Sequence, residues 1–434
     1  NFSGLAIDTR ILKKNNLFLT IKGKNNDGSK FIPKALNKGA KYIITSKIIK
    51  KYKKNIIKVK NEFEFLKKFA ELKRFYSLAR IIAITGSTGK TSLKNLIKDL
   101  LKNYGKTYSS PKSYNNHFGV PISLSNLNIN HKYGLFEVGM SKAGEINSLS
   151  KLIKPHIGII TNIGEAHIEN FKNIKGVAKA KAEIIDNIKK NGTIILNHDD
   201  KFFNFLAKKA KSKRLKIVSF GKNKKSDICL IRTFRVKNFN RMVVRINRHN
   251  FDLKVKNINI YNVLASLAIL NELDLNFSKI LKNFKNFEPI EGRGKTHNIT
   301  RYNKKFKLID ESYNANPLSV KNAINNFNSI KKKKIKKYLI LGDMLELGRN
   351  SEMYHRDLSK VINSSDIDKV FIKGQKTLFT YKNIIKKKRG NIFQNDDDID
   401  LTLKNIISNN DYLMVKGSNA TGLNILSKKM IKGL

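Results

Sequence analysis

The sequence predicts a multi-domain α/β protein built on parallel sheets. Short apolar strand runs alternate with amphipathic helical stretches, twice over, which is the signature of βαβ units. Chemically capable polar residues stand directly after those strand runs, where open parallel sheets bind ligands. The length of 434 residues suits two to four domains, each with a core of its own.

Three parts are expected, over residues 1–79, 80–298 and 299–434. The first holds the strand-like "AKYIITS", Ala40 to Ser46, and turn sequence in "GKNNDGSKFIP". The second carries the strand candidates "RIIAIT", "GLFEVG", "IGIITNIG" and "GTIILN". The third carries "KFKLID", "KKYLILGD", "KVFIKG" and "DYLMVKGS". The lysine run Lys331 to Lys334 and the acidic "NDDDID", Asn395 to Asp400, read as solvated loops or helix ends. No repeat of solenoid period is present.

Composition excludes several classes. An apolar content of 40% is that of a globular protein rather than a disordered one. No apolar run reaches the roughly 18 residues of a membrane helix, and no secretory leader is visible. The chain starts at Asn1 rather than Met, so further upstream residues are expected. The single cysteine, Cys229, rules out an internal disulfide and any cysteine-rich metal site, and points to a reducing cytoplasm. The net charge of +54 first suggests a nucleic-acid footprint. Yet 14 of the 87 basic residues are arginine, leaving 73 lysines spread along the whole chain. Abundant Asn, Ile, Phe and Tyr, few prolines and no tryptophan fit an AT-rich coding sequence instead. A nucleic-acid reader would gather arginine and aromatics on one face. The expected role of the charge is to attract anionic substrates, with no nucleic-acid partner and no membrane insertion.

The strongest local signal is "RIIAITGSTGKTSLKNLIKDLL". A strand leads into Gly86-Ser87-Thr88-Gly89-Lys90-Thr91-Ser92, and Leu93, Leu96, Ile97, Leu100 and Leu101 follow at helical spacing. Glycines let backbone N–H groups curl round a phosphate, and the helix start adds a positive dipole. Lys90 can reach the β- and γ-phosphates, and the Thr91 hydroxyl can sit on Mg²⁺. The usual first glycine would stand where Ile84 is, so the loop is a shortened variant. The competing reading is a plain glycine turn; the GKT triplet in strand–loop–helix context favours nucleotide binding.

Two further strand ends offer metal ligands. "GLFEVGMSKAGEI" presents Glu137, and "IGIITNIGEAHIENF" presents Thr161, Asn162, Glu165 and His167. Mg²⁺ takes hard oxygen ligands and keeps several waters, so a hydroxyl, a carboxylate and one nitrogen form a sparse but workable set. Taken singly, Glu137 reads as a surface charge and His167 as a loop histidine. "GVAKAKAEII" holds Lys179 and Lys181, which on their own read as solvated helix faces.

Together these motifs resemble the Mur ligases. "ITGSTGKTS", "SYNNHFGVP", "EVGMSKAGEI", "TNIGEAHIENF", "AKAEI", "LNHDD", "EGRG", "DESYNANP" and "LGDMLELG" occur in order over essentially the whole chain. "YNANP" and "LGDMLELG" resemble the branch of the family that adds D-alanyl-D-alanine to a UDP-N-acetylmuramoyl-tripeptide. The resemblance implies a three-domain architecture, with a central P-loop ATPase domain on a parallel sheet and a Rossmann-like C-terminal domain. It implies an ATP- and Mg²⁺-dependent peptide ligase that is cytoplasmic and monomeric. Gly86 to Ser92, Asn259, Asn262, Arg293, Glu311 and Asn314 would hold ATP. Thr91, Glu137, His167 and a carbamylated Lys181 would hold Mg²⁺. Lys90, Lys181, His167 and Arg293 would carry the chemistry. Asp8, Thr9 and Arg10, with the loop from Lys22 to Gly28, would bind the uridine diphosphate end. Asn115, Asn116 and His117 would line the acceptor site, and Asn316, Asp343 and Lys416 would join the substrate contacts.

The chain departs from the family pattern at three places. Ile258 stands where the family has histidine, and Glu311 where it has aspartate. "KGSNATGLN" lacks the arginine that commonly follows Ser418. The first two bear on adenine and ribose contacts, the third on the dipeptide. The alternative readings are another amino-acid ligase of the same family, folylpolyglutamate synthetase, a non-catalytic paralogue, or a nucleic-acid-stimulated NTPase supported by charge alone.

Overall fold

The computed structural model describes residues 2–433 except 24–25, 48, 237–238, 257, 277–279, 282 and 331–334. The lysine run 331–334, and residues 24–25 of the expected uridine loop, thus lie outside the described residues. Three sheets follow one another along the chain. The first has four parallel strands in sequence order: β1 (Gly4–Ala6), β2 (Asn16–Leu19), β3 (Tyr42–Thr45) and β4 (Ile56–Lys58). Helix Glu62–Phe75 leaves it, capped by Asn61, whose side chain accepts from Phe63 N and Glu64 N.

The second sheet has nine strands. They are β5 (Arg80–Thr85), β6 (Thr107–Ser109), β7 (Tyr133–Glu137), β8 (Ile157–Ile160), β9 (Thr193–Asn197), β10 (Lys216–Gly221), β11 (Ile228–Val236), β12 (Phe239–Ile246) and β13 (His249–Val255). Their order is β13-β12-β11-β10-β9-β8-β5-β7-β6, parallel from β6 to β11 and antiparallel over β11, β12 and β13. The expected strands "RIIAIT", "GLFEVG", "IGIITNIG" and "GTIILN" all appear here. Both faces of this sheet are covered, which explains its continuous apolar runs. Along β5, Ile82 and Ile84 join one core and Ile81 and Ala83 the other, the period of two that a strand imposes. The chain passes to either side of β5 on the way to β6 and β8. The order therefore reverses there, and a crevice opens at the carboxyl end of β5.

The third sheet runs β14 (Lys295–Arg301), β15 (Lys304–Glu311), β19 (Tyr412–Lys416), β16 (Lys337–Gly342), β17 (Lys369–Lys373) and β18 (Arg389–Ile392). Only β14, against β15, is antiparallel. Strand β14 spans the expected boundary at 298. The antiparallel ladder β11–β13 was not foreseen: its strands interleave Arg, Lys and Asn with apolar residues, and resemble solvated loop in a lysine-rich chain.

Candidate active site

The phosphate loop needs two of its glycines for geometric reasons. Gly86 has φ 141°, and a Cβ there would lie 1.9 Å from Thr161 Oγ1. Gly89 has φ 82°, and a Cβ would lie 2.9 Å from Asn262 Oδ1. Both conformations favour glycine. Gly89 then caps helix Lys90–Leu101, whose first turn carries no acidic residue, so its positive end stays open to an anion.

The loop is stitched to the segment after β8. Ser87 N donates to Asn162 O (3.0 Å). Thr88 N donates to Asn162 Oδ1 (2.9 Å), and Thr161 Oγ1 donates to Thr88 O (2.7 Å). Ser87 Oγ donates to Gly164 O (2.9 Å) and accepts from Gly164 N (2.8 Å). The Lys90 ammonium folds back onto Gly86 O at 2.6 Å.

Glu137, at the end of β7, is 1% exposed and forms the centre of the site. Thr91 Oγ1 donates to its Oε2 (2.7 Å) and Asn115 Nδ2 to its Oε1 (2.8 Å). Lys94, wholly buried, lies 3.6 Å from Oε2 and donates to Ser110 O (2.7 Å) and to Lys112 O. Lys94 was not singled out from the sequence. Its signal was the spacing: four residues after Lys90, it shares one helix face with it. A methionine at Lys94 would leave Glu137 buried and uncompensated. That change is expected to destabilise the fold by about 3–5 kcal/mol, with much of the loss recovered in Lys94→Met combined with Glu137→Gln. Urea denaturation of the three variants checks this.

Arg293 arrives from the approach to the third sheet. Its guanidinium stacks on Tyr313 (4.1 Å to the ring centroid) and donates to Ser113 Oγ (3.3 Å), to which Tyr313 Oη also bonds (2.9 Å). The acidic pair Asp310 and Glu311 explains how the arginine is aimed. Asp310 is buried, and its carboxylate accepts from Gly292 N (2.7 Å), Ser312 N (3.2 Å) and Ser312 Oγ (2.5 Å). It therefore clamps the "EGRG" turn to the end of β15. Glu311 and the carbonyl of Asn314 hold buried Lys416, at 3.5 Å from Glu311 Oε2 and 2.6 Å from Asn314 O. We expect Asp310→Asn to lower kcat by about tenfold to a hundredfold through a displaced Arg293, with the fold intact. Steady-state kinetics on the variant would show a normal kcat if the turn is held elsewhere.

The remaining residues divide clearly. A cavity of about 1870 Å³ is lined by Ser87 to Ser92, Asn115, Asn116, His117, Glu137, His167, Lys181, Asn259, Asn262, Arg293, Glu311, Asn314, Asn316 and Lys416. Several of these also serve the backbone. Asn259 caps helix Ile260–Glu272, Asn316 forms a capping box with Ser319, and Asn116 accepts from Gly119 N (2.9 Å). Asp8, Thr9, Arg10 and Asp343 do not line the cavity. Arg10 folds onto Asp8 (2.6 Å) in the loop after β1, and this bond holds the Asp8 carboxyl below its usual value. Thr9 is buried, its carbonyl taken by Lys38 (2.9 Å). The Asp343 carboxylate accepts from Thr377 N (2.8 Å) and packs against Gly374, so it is spent on the neighbouring turn.

Electrostatically, the part of the site next to the phosphate loop gathers cations round the buried Glu137 carboxylate. Burial pushes the amines of Lys90, Lys94, Lys181 and Lys416 below their ordinary value. Glu137 pulls Lys90 and Lys94 back up, whereas the charge of Lys90 depresses Lys181 further. Such a site is arranged for a polyanion. The Thr91 hydroxyl and Glu137 carboxylate, side by side and buried, are hard oxygens that fit Mg²⁺. His167 lines the same cavity in a left-handed conformation (φ 58°), and its Nδ1 lies 2.5 Å from Glu346 Oε2 of the third part. The Lys181 ammonium would repel a metal; a carbamate on it would present oxygens.

Comparison with known proteins agrees with this geometry. Residues 84–270 match the Mur ligase middle domain, 297–419 the Mur ligase glutamate ligase domain, and 1–74 the Mur ligase family catalytic domain. The chain is 34% identical to the UDP-N-acetylmuramoyl-tripeptide–D-alanyl-D-alanine ligase of Buchnera aphidicola subsp. Baizongia pistaciae, over 99% of this chain and 92% of that protein. The chain belongs to the Mur ligase family. This Mur ligase is also 32% identical to the protein of the same name from Rickettsia prowazekii, over 98% of this chain and 94% of that one. In fold it is similar to MurF from Acinetobacter baumannii, with a TM-score of 0.84 and 25% identity over 99% of this chain and 93% of that one. The MurF ligase of Thermotoga maritima, solved in complex with ADP, gives the same TM-score at 23% identity, covering 99% and 97%. The chain is thus an ATP-dependent ligase with the three-domain Mur ligase fold. Among its described residues no helix is long and apolar enough to cross a membrane.

Proposed function

We propose that this Mur ligase joins D-alanyl-D-alanine to UDP-N-acetylmuramoyl-tripeptide, forming ADP, phosphate and the UDP-linked pentapeptide precursor of peptidoglycan. The carrying observation is the convergence of Lys90, Lys181 and Arg293, from separate segments, round the Thr91–Glu137 pair in one cavity. The full-length likeness to two ligases of that name supports the substrate assignment.

A carboxylate is a poor electrophile towards an amine. In the proposed reaction the terminal carboxylate of the tripeptide attacks the γ-phosphorus of ATP, and ADP leaves. The amine of D-alanyl-D-alanine then attacks the acyl phosphate carbonyl, giving up a proton, and phosphate leaves. The chain's work is to position groups and offset charge. The amides of Gly89, Lys90 and Thr91, at the open start of the helix, cradle the phosphates, while those of Ser87 and Thr88 hold the loop to Asn162. Lys90 swings from Gly86 O onto the β- and γ-oxygens, and Arg293 meets the transferring phosphoryl group from across the domain junction. Mg²⁺, held by Thr91 and Glu137 with a carbamylated Lys181 and with His167 once it releases Glu346, would supply further charge neutralisation. Asn259 and Asn262 lie where the adenine is proposed to sit, with Glu311 and Asn314 towards the rest of the nucleotide. Asp8, Thr9 and Arg10 are assigned to the uridine diphosphate end, outside the cavity. Asn115, Asn116, His117, Asn316 and Lys416 are assigned to the peptide substrates. Asp343 acts at one remove, through the turn it holds. The working unit we infer is a cytoplasmic monomer, since one chain brings the whole cation cluster together, and nucleic acid has no part in the reaction.

The deciding assay is phosphate release with ATP, Mg²⁺ and UDP-muramoyl-tripeptide, with and without D-alanyl-D-alanine. Release that needs both, with a UDP-linked pentapeptide as product, establishes the reaction. Release with a different amine keeps the ligase chemistry and moves the substrate. No release under any pairing, in folded protein, overturns it. A carbamate carbonyl signal on Lys181 after labelled bicarbonate tests the modification without turnover.

A further inference from the structure

We propose that the amino-terminal edge of the nine-stranded sheet is a docking face for an anionic lipid surface. Parallel strands put all their carboxyl ends on one edge, where the cavity lies, and all their starts on the other. On that other edge sit the four most exposed large apolar side chains among the described residues: Leu78 at 87%, Phe75 at 78%, Tyr76 at 67% and Ile129 at 66%. Phe75, Tyr76 and Ile129 adjoin, and Leu78 follows Tyr76 closely in the chain. Phe75 and Tyr76 stack edge-on at 5.1 Å. Tyr76 and Ile129 share an apolar cleft of about 220 Å³ with Phe69, Leu72 and Leu127. Leu78 stands just before β5 and Ile129 just before β7. Scattered exposed apolar residues need no explanation, but a clustered set marks a contact surface.

What covers it is indicated by its fringe. Lys73 and Lys106 lie close enough for both charges to bear on His131. Lys189, in the turn before β9, lies close enough to Lys154, before β8, and to Arg80, at the start of β5, for both charges to bear on it. Exposed Lys67 and Lys68 extend the basic rim along helix Glu62–Phe75, which carries exposed Glu64 and Glu71 as well. Aromatic and aliphatic side chains inside a ring of lysine and arginine are the chemistry of an interfacial membrane contact, apolar groups entering the headgroup boundary and cations meeting acidic lipid. A second copy of the chain fits worse, because face-to-face packing would oppose the two basic rims. Docked this way, the cavity at the opposite edge stays open to soluble substrates. The face carries none of the residues assigned to the reaction.

The test is co-sedimentation of the full chain with phosphatidylcholine vesicles and with phosphatidylcholine–phosphatidylglycerol vesicles. Binding to the anionic vesicles is expected, weakened by raised salt and reduced by about tenfold or more in Phe75→Ser, Tyr76→Ser, Leu78→Ser combined. That variant should keep its ligase rate in solution. Substituting glutamine at Arg80, Lys154 and Lys189 together should also weaken binding. Three results would overturn the proposal. The chain ignores the anionic vesicles, or the apolar variant binds them as well as the parent does, meaning that diffuse charge alone attracts it. Or sedimentation in the absence of lipid shows a dimer that the apolar variant abolishes, meaning that a second copy is the occupant.

Discussion

Replacing Lys90 by alanine is expected to lower phosphate release by at least about a thousandfold while leaving the fold intact. Among the described residues the side chain hydrogen-bonds only Gly86 O, so its removal breaks one local contact and opens no cavity in the core. Its charge is what the transferring phosphoryl group would lose. Circular dichroism and thermal unfolding would be native-like, and the rate would be near the uncatalysed level. Near-native turnover in that variant would remove Lys90 from the machinery.

The second expected result ties loss of activity to gain of stability. Lys181 is 2% exposed, and no hydrogen bond or ion pair joins its amine to the described residues. Burial, with Lys90 nearby, drives its amine well below the ordinary 10.5. A buried cation without a partner opposes folding, so Lys181→Met should stabilise the protein by about 1–3 kcal/mol and abolish ligation. The sign can be checked with pH. Between the lowered value of folded Lys181 and the ordinary 10.5 the unfolded chain binds more protons than the folded one, so parental stability rises with pH across that window. The methionine variant should show a shallower rise, the remainder coming from Lys90, Lys94 and Lys416, which are depressed by burial in the same way. A methionine variant that unfolds more easily than the parent would mean that Lys181 is not buried as a bare amine.

Much of this was legible in the sequence because strand ends carry both period and chemistry. Each expected strand of the middle and last parts is present, and the polar residues behind β5, β7 and β8 meet in one cavity. Lys94 escaped because, among 73 lysines, a buried one looks like a solvated one until its partner is known. Asp310 was visible as an oddity, but its function is a bond to Gly292 N across 18 residues, which no local pattern encodes. Asp8 and Asp343 could be matched to motifs, yet only the fold reveals that their carboxylates are already engaged by Arg10 and by Thr377 N.

The stitching of Ser87 and Thr88 to Asn162 and Gly164 also bears on speed. A loop that is already shaped needs no ordering when nucleotide arrives, and each backbone residue so fixed spares about 1–2 kcal/mol of entropy at binding. Both ATP and ADP should therefore find the cradle equally ready. Exchange of one for the other falls to the parts that are not stitched. Arg293 and Tyr313 reach the middle sheet's side chains through a single hydroxyl, Ser113. A second tie joins the same two parts, where His167 Nδ1 meets Glu346 and Glu169 N donates to Glu346 O. Nucleotide exchange by a swing of the third sheet would have to part both, so the turnover clock would be set by two small polar latches rather than by the cradle.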